Sequence, residues 1–199
     1  MQPVEFAAPN DERRQMVRLT GGLAGLAIAA TAVPFVASFA PSERAKASGA
    51  SVETDIGDIA PGSVKTVEWR GKPVWILRRT PAMLAALAEQ NKQLLDPQST
   101  RDQQPEYARN AERSIRQEYF VAVGICTHLG CSPNVVPRGP ANPSVGADWN
   151  GGFFCPCHGS TFDLAGRVFK NKPAPLNLEV PPHKYLSDSR LLIGEDGQA

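Results

Sequence analysis

The sequence predicts a mainly β body, an antiparallel sandwich or barrel, carried behind one N-terminal transmembrane helix. Three observations predict it. Short strand-like segments, about four to eight residues each, recur through the last two-thirds of the chain between turn residues. The 199 residues include 17 Gly and 18 Pro, a content that suits many turns. No charged residue falls between Leu19 and Ala40, a run of about 22 residues or roughly 33 Å of helix, enough to cross a bilayer. The length allows one domain plus an anchor. A net charge of +1 excludes a basic nucleic-acid binder and an acidic disordered chain alike.

At the amino terminus, residues 1–18 read as a cytoplasmic segment and 19–40 as the membrane anchor. Arg13 and Arg14 stand directly before the apolar run, as in a twin-arginine export signal for proteins that fold before export. A buried core helix is disfavoured by Gly21, Gly22, Gly25 and Pro34. A removed signal peptide, cleaved near Ala45-Lys46-Ala47, would have a shorter apolar core. The upstream arginines place the anchor's start in the cytoplasm and the body in the periplasm. Gly21 and Gly25 form a small-xxx-small pair suited to a partner helix. Residues 41–51 (PSERAKASGAS) then read as a flexible hinge linker, and residues 52–199 as the head.

In the head, strands are expected at Val64–Trp69, Pro73–Arg79, Glu118–Ile125, Gly152–Cys155, Asn177–Val180, Lys184–Ser187 and Arg190–Ile193. A helical insertion interrupts them over about residues 80–115. Thr80 is an N-cap with Pro81 at the first helical position, and Met83, Leu84, Leu87, Ala88 and Leu95 form one face. A second helix is expected near Pro105–Ser114. Trp69, Trp75 and Trp149 read as packing residues, and His183 as a surface histidine.

All four Cys and two of the three His fall in two boxes: Cys126-Thr127-His128-Leu129-Gly130-Cys131 and Cys155-Pro156-Cys157-His158-Gly159-Ser160. Such concentration of the rarest residue types marks a binding site. Each box offers thiolate and imidazole on a turn, with Gly130 and Gly159 letting the backbone fold tightly. Two Cys and two His satisfy tetrahedral zinc, and equally a two-iron cluster with thiolates on one iron and imidazoles on the other. Two Cys remain over. A structural zinc module has no use for them, whereas an exported protein can pair them as a disulfide between the loops.

The boxes resemble the paired motifs of Rieske proteins, specifically the iron–sulfur subunit of bacterial quinol–cytochrome c reductases. The resemblance extends to the twin-arginine anchor, the linker, the insertion before the first box, and the segment Pro173–Val180. It implies a Rieske-type head with a small cluster-binding subdomain over about residues 125–175, holding one [2Fe-2S] cluster. Cys126 and Cys155 would bind the inner iron, His128 and His158 the outer one, and Cys131 and Cys157 would form the disulfide. Lys172–Pro175 matches the family's proline loop, with Lys172 where relatives often carry Gly. Leu129 would shield the cluster or meet a docking partner.

The resemblance also implies the activity. An electron arriving at the irons strengthens the hold of His128 or His158 on a proton, so the histidines are the expected catalytic groups. The head would take one electron from ubiquinol at the cytochrome b subunit, then swing on its linker to a c-type cytochrome. That activity contributes to proton translocation in a dimeric inner-membrane complex. Ser160 matches a serine that donates to a cluster sulfur. Phe162 stands where many relatives have a donor tyrosine, which implies a lower potential within a family range of roughly −150 to +300 mV. Competing readings are a Rieske subunit of another periplasmic oxidase, a Rieske ferredoxin or oxygenase component, or a zinc-stabilised module. The first is disfavoured by the insertion and the Pro-Ala-Pro segment; the second usually lacks the extra cysteines and the anchor.

Overall fold

The computed structural model of the chain describes residues 10–42, 49–139 and 144–197. It divides into two units, Met1–Ala47 and Ser48–Ala199. In the first, helix α1 spans Asp11–Ala37, 27 residues or about 40 Å. Asn10 caps it by accepting a hydrogen bond from the Arg13 amide at 3.0 Å. The twin arginines therefore lie within the helix, which starts before the charge-free run and ends at Ala37. It is long and apolar enough to cross a membrane, and none of its residues is buried within its own unit. Linker residues 43–48 and most of the amino-terminal tail lie outside the described residues.

The second unit is built from three antiparallel sheets. Strands β2 (Val64–Trp69), β3 (Lys72–Arg78) and β4 (Tyr119–Val123) pair in sequence order. Strand β1 (Val52–Asp55) pairs with β9 (Arg190–Ile193), which pairs with β8 (His183–Tyr185). The third sheet joins β5 (Asn134–Val136), β6 (Gly152–Phe154) and β7 (Thr161–Phe162). The β2–β3–β4 sheet is the middle layer, because alternate residues enter different cores. Val74, Ile76, Val121 and Val123 meet Leu191, Ile193 and Ile56 on one side. Trp75, Leu77, Phe120 and Ala122 meet Phe153, Phe162, Leu164, Cys126 and Cys155 on the other. Burial on both faces accounts for the uninterrupted apolar run of β4, all five residues of which are buried.

Helix α2 (Pro81–Glu89) begins as the sequence predicts, with the Thr80 side chain accepting from the Met83 amide. Its buried residues are Ala86 and Leu87, while Ala88 is exposed and Leu95 lies beyond the helix at 42% exposure. The expected second helix at Pro105–Ser114 is only a 3-10 turn at Glu106–Ala108. There the Asn110 side-chain Nδ2 donates to the Tyr107 and Ser114 carbonyls, a local alternative to helix. Residues Asn177–Val180 are not a strand either. Strands β1, β5 and β7 are additional.

Three arginines of the head are fully buried, Arg79, Arg113 and Arg167. Arg79 donates to the carbonyls of Glu112 and Gln117 and to the Ser114 hydroxyl. Arg167 pairs with buried Asp163 at 2.7 Å and donates to the Leu87 and Pro97 carbonyls. Buried donors of this kind stabilise loops that cannot pair as strands. Burial lowers Arg79 and Arg113 to about 10, so both stay protonated at neutral pH. His183 is also buried, at 1% exposure, contrary to the surface reading. Its Nδ1 lies 2.8 Å from the Pro181 carbonyl, and its ring meets Tyr107 edge-on. Burial holds its imidazole below the ordinary range.

Candidate metal centre

The two boxes share one backbone plan. In the first, the Cys126 amide donates to the Cys131 carbonyl at 2.7 Å, and the Gly130 amide to the Cys126 carbonyl at 3.1 Å. In the second, the Cys155 amide donates to the Ser160 carbonyl at 2.8 Å, and the Gly159 amide to the Cys155 carbonyl at 3.0 Å. Gly130 and Gly159 have φ of 84° and 76°, the left-handed turn that other residues adopt at a cost. The first loop leaves from β4, and the second is the connection between β6 and β7. The first loop thus leaves the middle sheet, and the second belongs to the β5–β6–β7 sheet packed on its Trp75 face, where the Trp75 indole stacks on Phe153 at 5.1 Å.

The side chains sort by depth. Cys126 and Cys155 are free thiols, each 2% exposed. Outside them, half-buried His128 and exposed His158 stand edge to face, ring centroids 4.7 Å apart. Cys131 and Cys157 are joined by a disulfide across the two loops, with Cα atoms 6.6 Å apart. The Cys131, Cys155 and Cys157 sulfurs lie within 4.8 Å of one another, but the disulfide uses two of them and leaves no three-sulfur ligand set. Leu129 is 71% exposed, free of the core.

Burial pushes the Cys126 thiol up, and the adjacent Cys155 thiol adds to the rise. The His128 amide and the Ser160 hydroxyl act in the other direction by hydrogen bonding to it. Burial of the Cys126 thiol opposes its ionisation, and a bound cationic centre removes that resistance by displacing the proton. Two inward thiols and two outward imidazoles, with the other two Cys committed to a crosslink, fit the mixed donor set of a two-iron cluster.

A family model of the Rieske [2Fe-2S] domain matches residues 51–182. The chain belongs to the Rieske family. Its cofactor is the Rieske [2Fe-2S] cluster, and its mainly β head has the Rieske fold. The chain is 56% identical over 185 residues to the ubiquinol-cytochrome c reductase iron-sulfur subunit of Allochromatium vinosum, covering 92% of this chain and 88% of the relative. It is 40% identical over 176 residues to the subunit of that name from Bradyrhizobium diazoefficiens, covering 88% of this chain and 89% of the relative. A solved structure titled Hyperthermophilic respiratory Complex III is similar over 88% of this chain and 98% of its own, at 26% identity and a TM-score of 0.46.

Around the Rieske site, the segment at Lys172–Pro175 approaches both boxes. The Ala174 amide donates to Ser160 Oγ at 3.0 Å, and Thr127 Oγ1 donates to the Leu176 carbonyl at 2.6 Å. The sequence reading passed over Thr127, although its place between Cys126 and His128 marks it as part of the first loop. Ser160 is 1% exposed. Phe162 is fully buried in β7, opposite Phe153. Trp69, Trp75 and Trp149 are all buried, in keeping with packing roles.

Proposed function

We propose that this chain is the iron–sulfur subunit of a bacterial ubiquinol–cytochrome c reductase, a membrane-anchored oxidoreductase subunit that moves single electrons from ubiquinol to a c-type cytochrome. The observation that carries the reading is the depth order of the site: two buried thiols under two imidazoles at the surface, with the remaining cysteines crosslinked. Cys126 and Cys155 would hold one iron and His128 and His158 the other. When bound, the cluster supplies reversible one-electron chemistry at a potential raised by its two neutral ligands. The names of the relatives and the likeness over nearly their full length support the assignment to this complex.

The chain's own residues contribute in four ways. The outward ring nitrogen of either His128 or His158 meets the quinol hydroxyl and takes its one proton, so the proton leaves on the same side as the electron. Leu129, next to His128 in the first loop and exposed, supplies an apolar contact that keeps water out of the docked interface. The Cys131–Cys157 disulfide keeps the two loops at a fixed separation. Ser160 would donate to a cluster sulfur, which favours the electron-rich state.

Helix α1 anchors the subunit in the inner membrane, with Arg13, Arg14 and Arg18 on the cytoplasmic side and the head in the periplasm. Residues 41–51 act as the tether on which the head moves between the cytochrome b and c-type cytochrome subunits of a dimeric complex. Low-temperature electron paramagnetic resonance of the dithionite-reduced protein, with iron, zinc and sulfide counted in the same sample, tests the site. A two-iron signal of low average g with two irons per chain is the expected result. One zinc and no sulfide would overturn the reading. Ubiquinol–cytochrome c reductase activity of membranes carrying His158→Ala against unaltered membranes tests the role.

A further inference from the structure

Residues 172–180 run beside the site without belonging to any strand, so their position depends on individual hydrogen bonds. Pro173 and Pro175 have no amide hydrogen, which leaves the loop short of donors. Its carbonyls must therefore be held by groups from elsewhere. The Leu176 carbonyl is held by Thr127, from the first box. The Pro175 carbonyl is held by the inserted segment: Arg101 Nη1 donates to it at 2.7 Å.

Arg101 is itself presented by a built turn. The Asp96 carboxylate accepts from the Thr100 amide at 2.9 Å and from the Arg101 amide at 3.1 Å. Burial alone would raise the Asp96 carboxyl, but these amides and the Thr100 hydroxyl hold it below the ordinary range, so it is ionised at neutral pH. The Asp96 carbonyl also accepts from the Asn177 side-chain amide at 3.1 Å. One acidic turn thus grips the proline loop at Pro175 and again at Asn177.

We propose that Arg101 is a positioning residue for the cluster site: by holding Pro175, it keeps the neighbouring Ala174 amide on Ser160 Oγ and so orients that hydroxyl. The chain of bonds is short. Arg101 fixes Pro175, and the adjacent Ala174 amide donates to Ser160 Oγ. With its oxygen occupied as an acceptor from Ala174, the Ser160 hydroxyl is left to donate its proton into the cluster site. Releasing Pro175 loosens the Ala174 bond and frees that proton to turn elsewhere. The electron-rich state then loses a donor, and the site becomes harder to reduce. The insertion is accordingly a brace on the redox site as well as a part of the core. The proposal rests on the cluster reading above.

The test uses the full-length holoprotein in detergent with Arg101→Met, which keeps an apolar stem without a donor, and Arg101→Lys, which restores both charge and donor. Arg101 is exposed, so neither change places a charge or a cavity in the core. The expected result for Arg101→Met is a reduction constant about threefold to tenfold lower, or about 30 to 60 mV at 59 mV per decade. Amide hydrogen exchange at Ala174 should be at least about tenfold faster, and Arg101→Lys should recover most of both effects. The potential is read at low and at about 0.5 M salt, where an exposed charge is screened over a few ångström. A shift that persists in high salt supports positioning. A shift that vanishes in salt, or an unchanged potential and unchanged Ala174 exchange, overturns it. Absence of the two-iron signal from the unaltered protein would instead refute the cluster reading itself.

Discussion

Replacing both Cys131 and Cys157 by Ser is expected to lower the stability of the head while leaving iron bound. The crosslink joins residues separated by 26 in sequence. Loop-closure entropy for that length is about 12 cal/mol/K, or about 3.5 kcal/mol at 25 °C. For a domain of this size that is about a 10 °C fall in Tm. Iron should stay because Cys126 and Cys155 are placed independently of the crosslink. Each is 2% exposed, and each loop is closed by its own amide–carbonyl bonds. The assay is thermal unfolding by circular dichroism at one scan rate, with iron counted in the same samples before heating. Changing both cysteines together avoids leaving one reactive thiol. A double variant as stable as the parent would refute the crosslink argument. A well-folded variant without iron would place Cys131 or Cys157 among the ligands and refute the site assignment.

Other changes have equally definite outcomes. Phe162→Tyr should raise the midpoint potential by about 60 mV, the equivalent of about 1.4 kcal/mol of hydrogen bonding to an electron-rich sulfur; redox titration showing no rise, or a fall, would remove the explanation based on the missing hydroxyl. His183 should make the head less stable in mild acid. Burial lowers its folded pKa below the ordinary 6.5, so the unfolded chain takes up a proton that the folded chain refuses, and stability declines as pH falls below about 6.5. His183→Gln should flatten that part of the stability–pH profile, measured by chemical unfolding between pH 5 and 8. Asp163→Asn leaves fully buried Arg167 without its carboxylate partner and should cost about 3 to 5 kcal/mol; a loss below about 1 kcal/mol would show the pair to be dispensable.

Local chemistry made much of the site legible in advance. The ligand loops are each six residues long, and their turns follow from Gly130 and Gly159, so the boxes announce themselves without any tertiary information. The same holds for the start of α2, where Thr80 and Pro81 cap a helix through neighbours in sequence. Strands β2 and β9 stand within the bounds that alternation and turn residues suggest. Where the reading failed, a distant partner had intervened. Asn177–Val180 has strand composition but spends its hydrogen bonds on Asp96, Arg113, Gly166 and Gln103. The apolar and helix-favouring residues near Pro105–Ser114 lose to Asn110, which caps a loop instead. His183 looks like a surface residue beside Lys184, yet Tyr107, 76 positions away, donates to its carbonyl and encloses it.

The sequence by itself determined that this protein has an apolar N-terminal helix, a turn-rich β head and a two-box Cys/His site, because each is written in short-range patterns of residue type. Tertiary structure alone decided which face of the middle sheet carries the site, how Cys131 reaches Cys157, and which groups hold the proline loop above Ser160 and Thr127. Those outcomes depend on contacts between segments far apart in the chain. Loop closure and burial choose among many pairings that local propensity leaves equal.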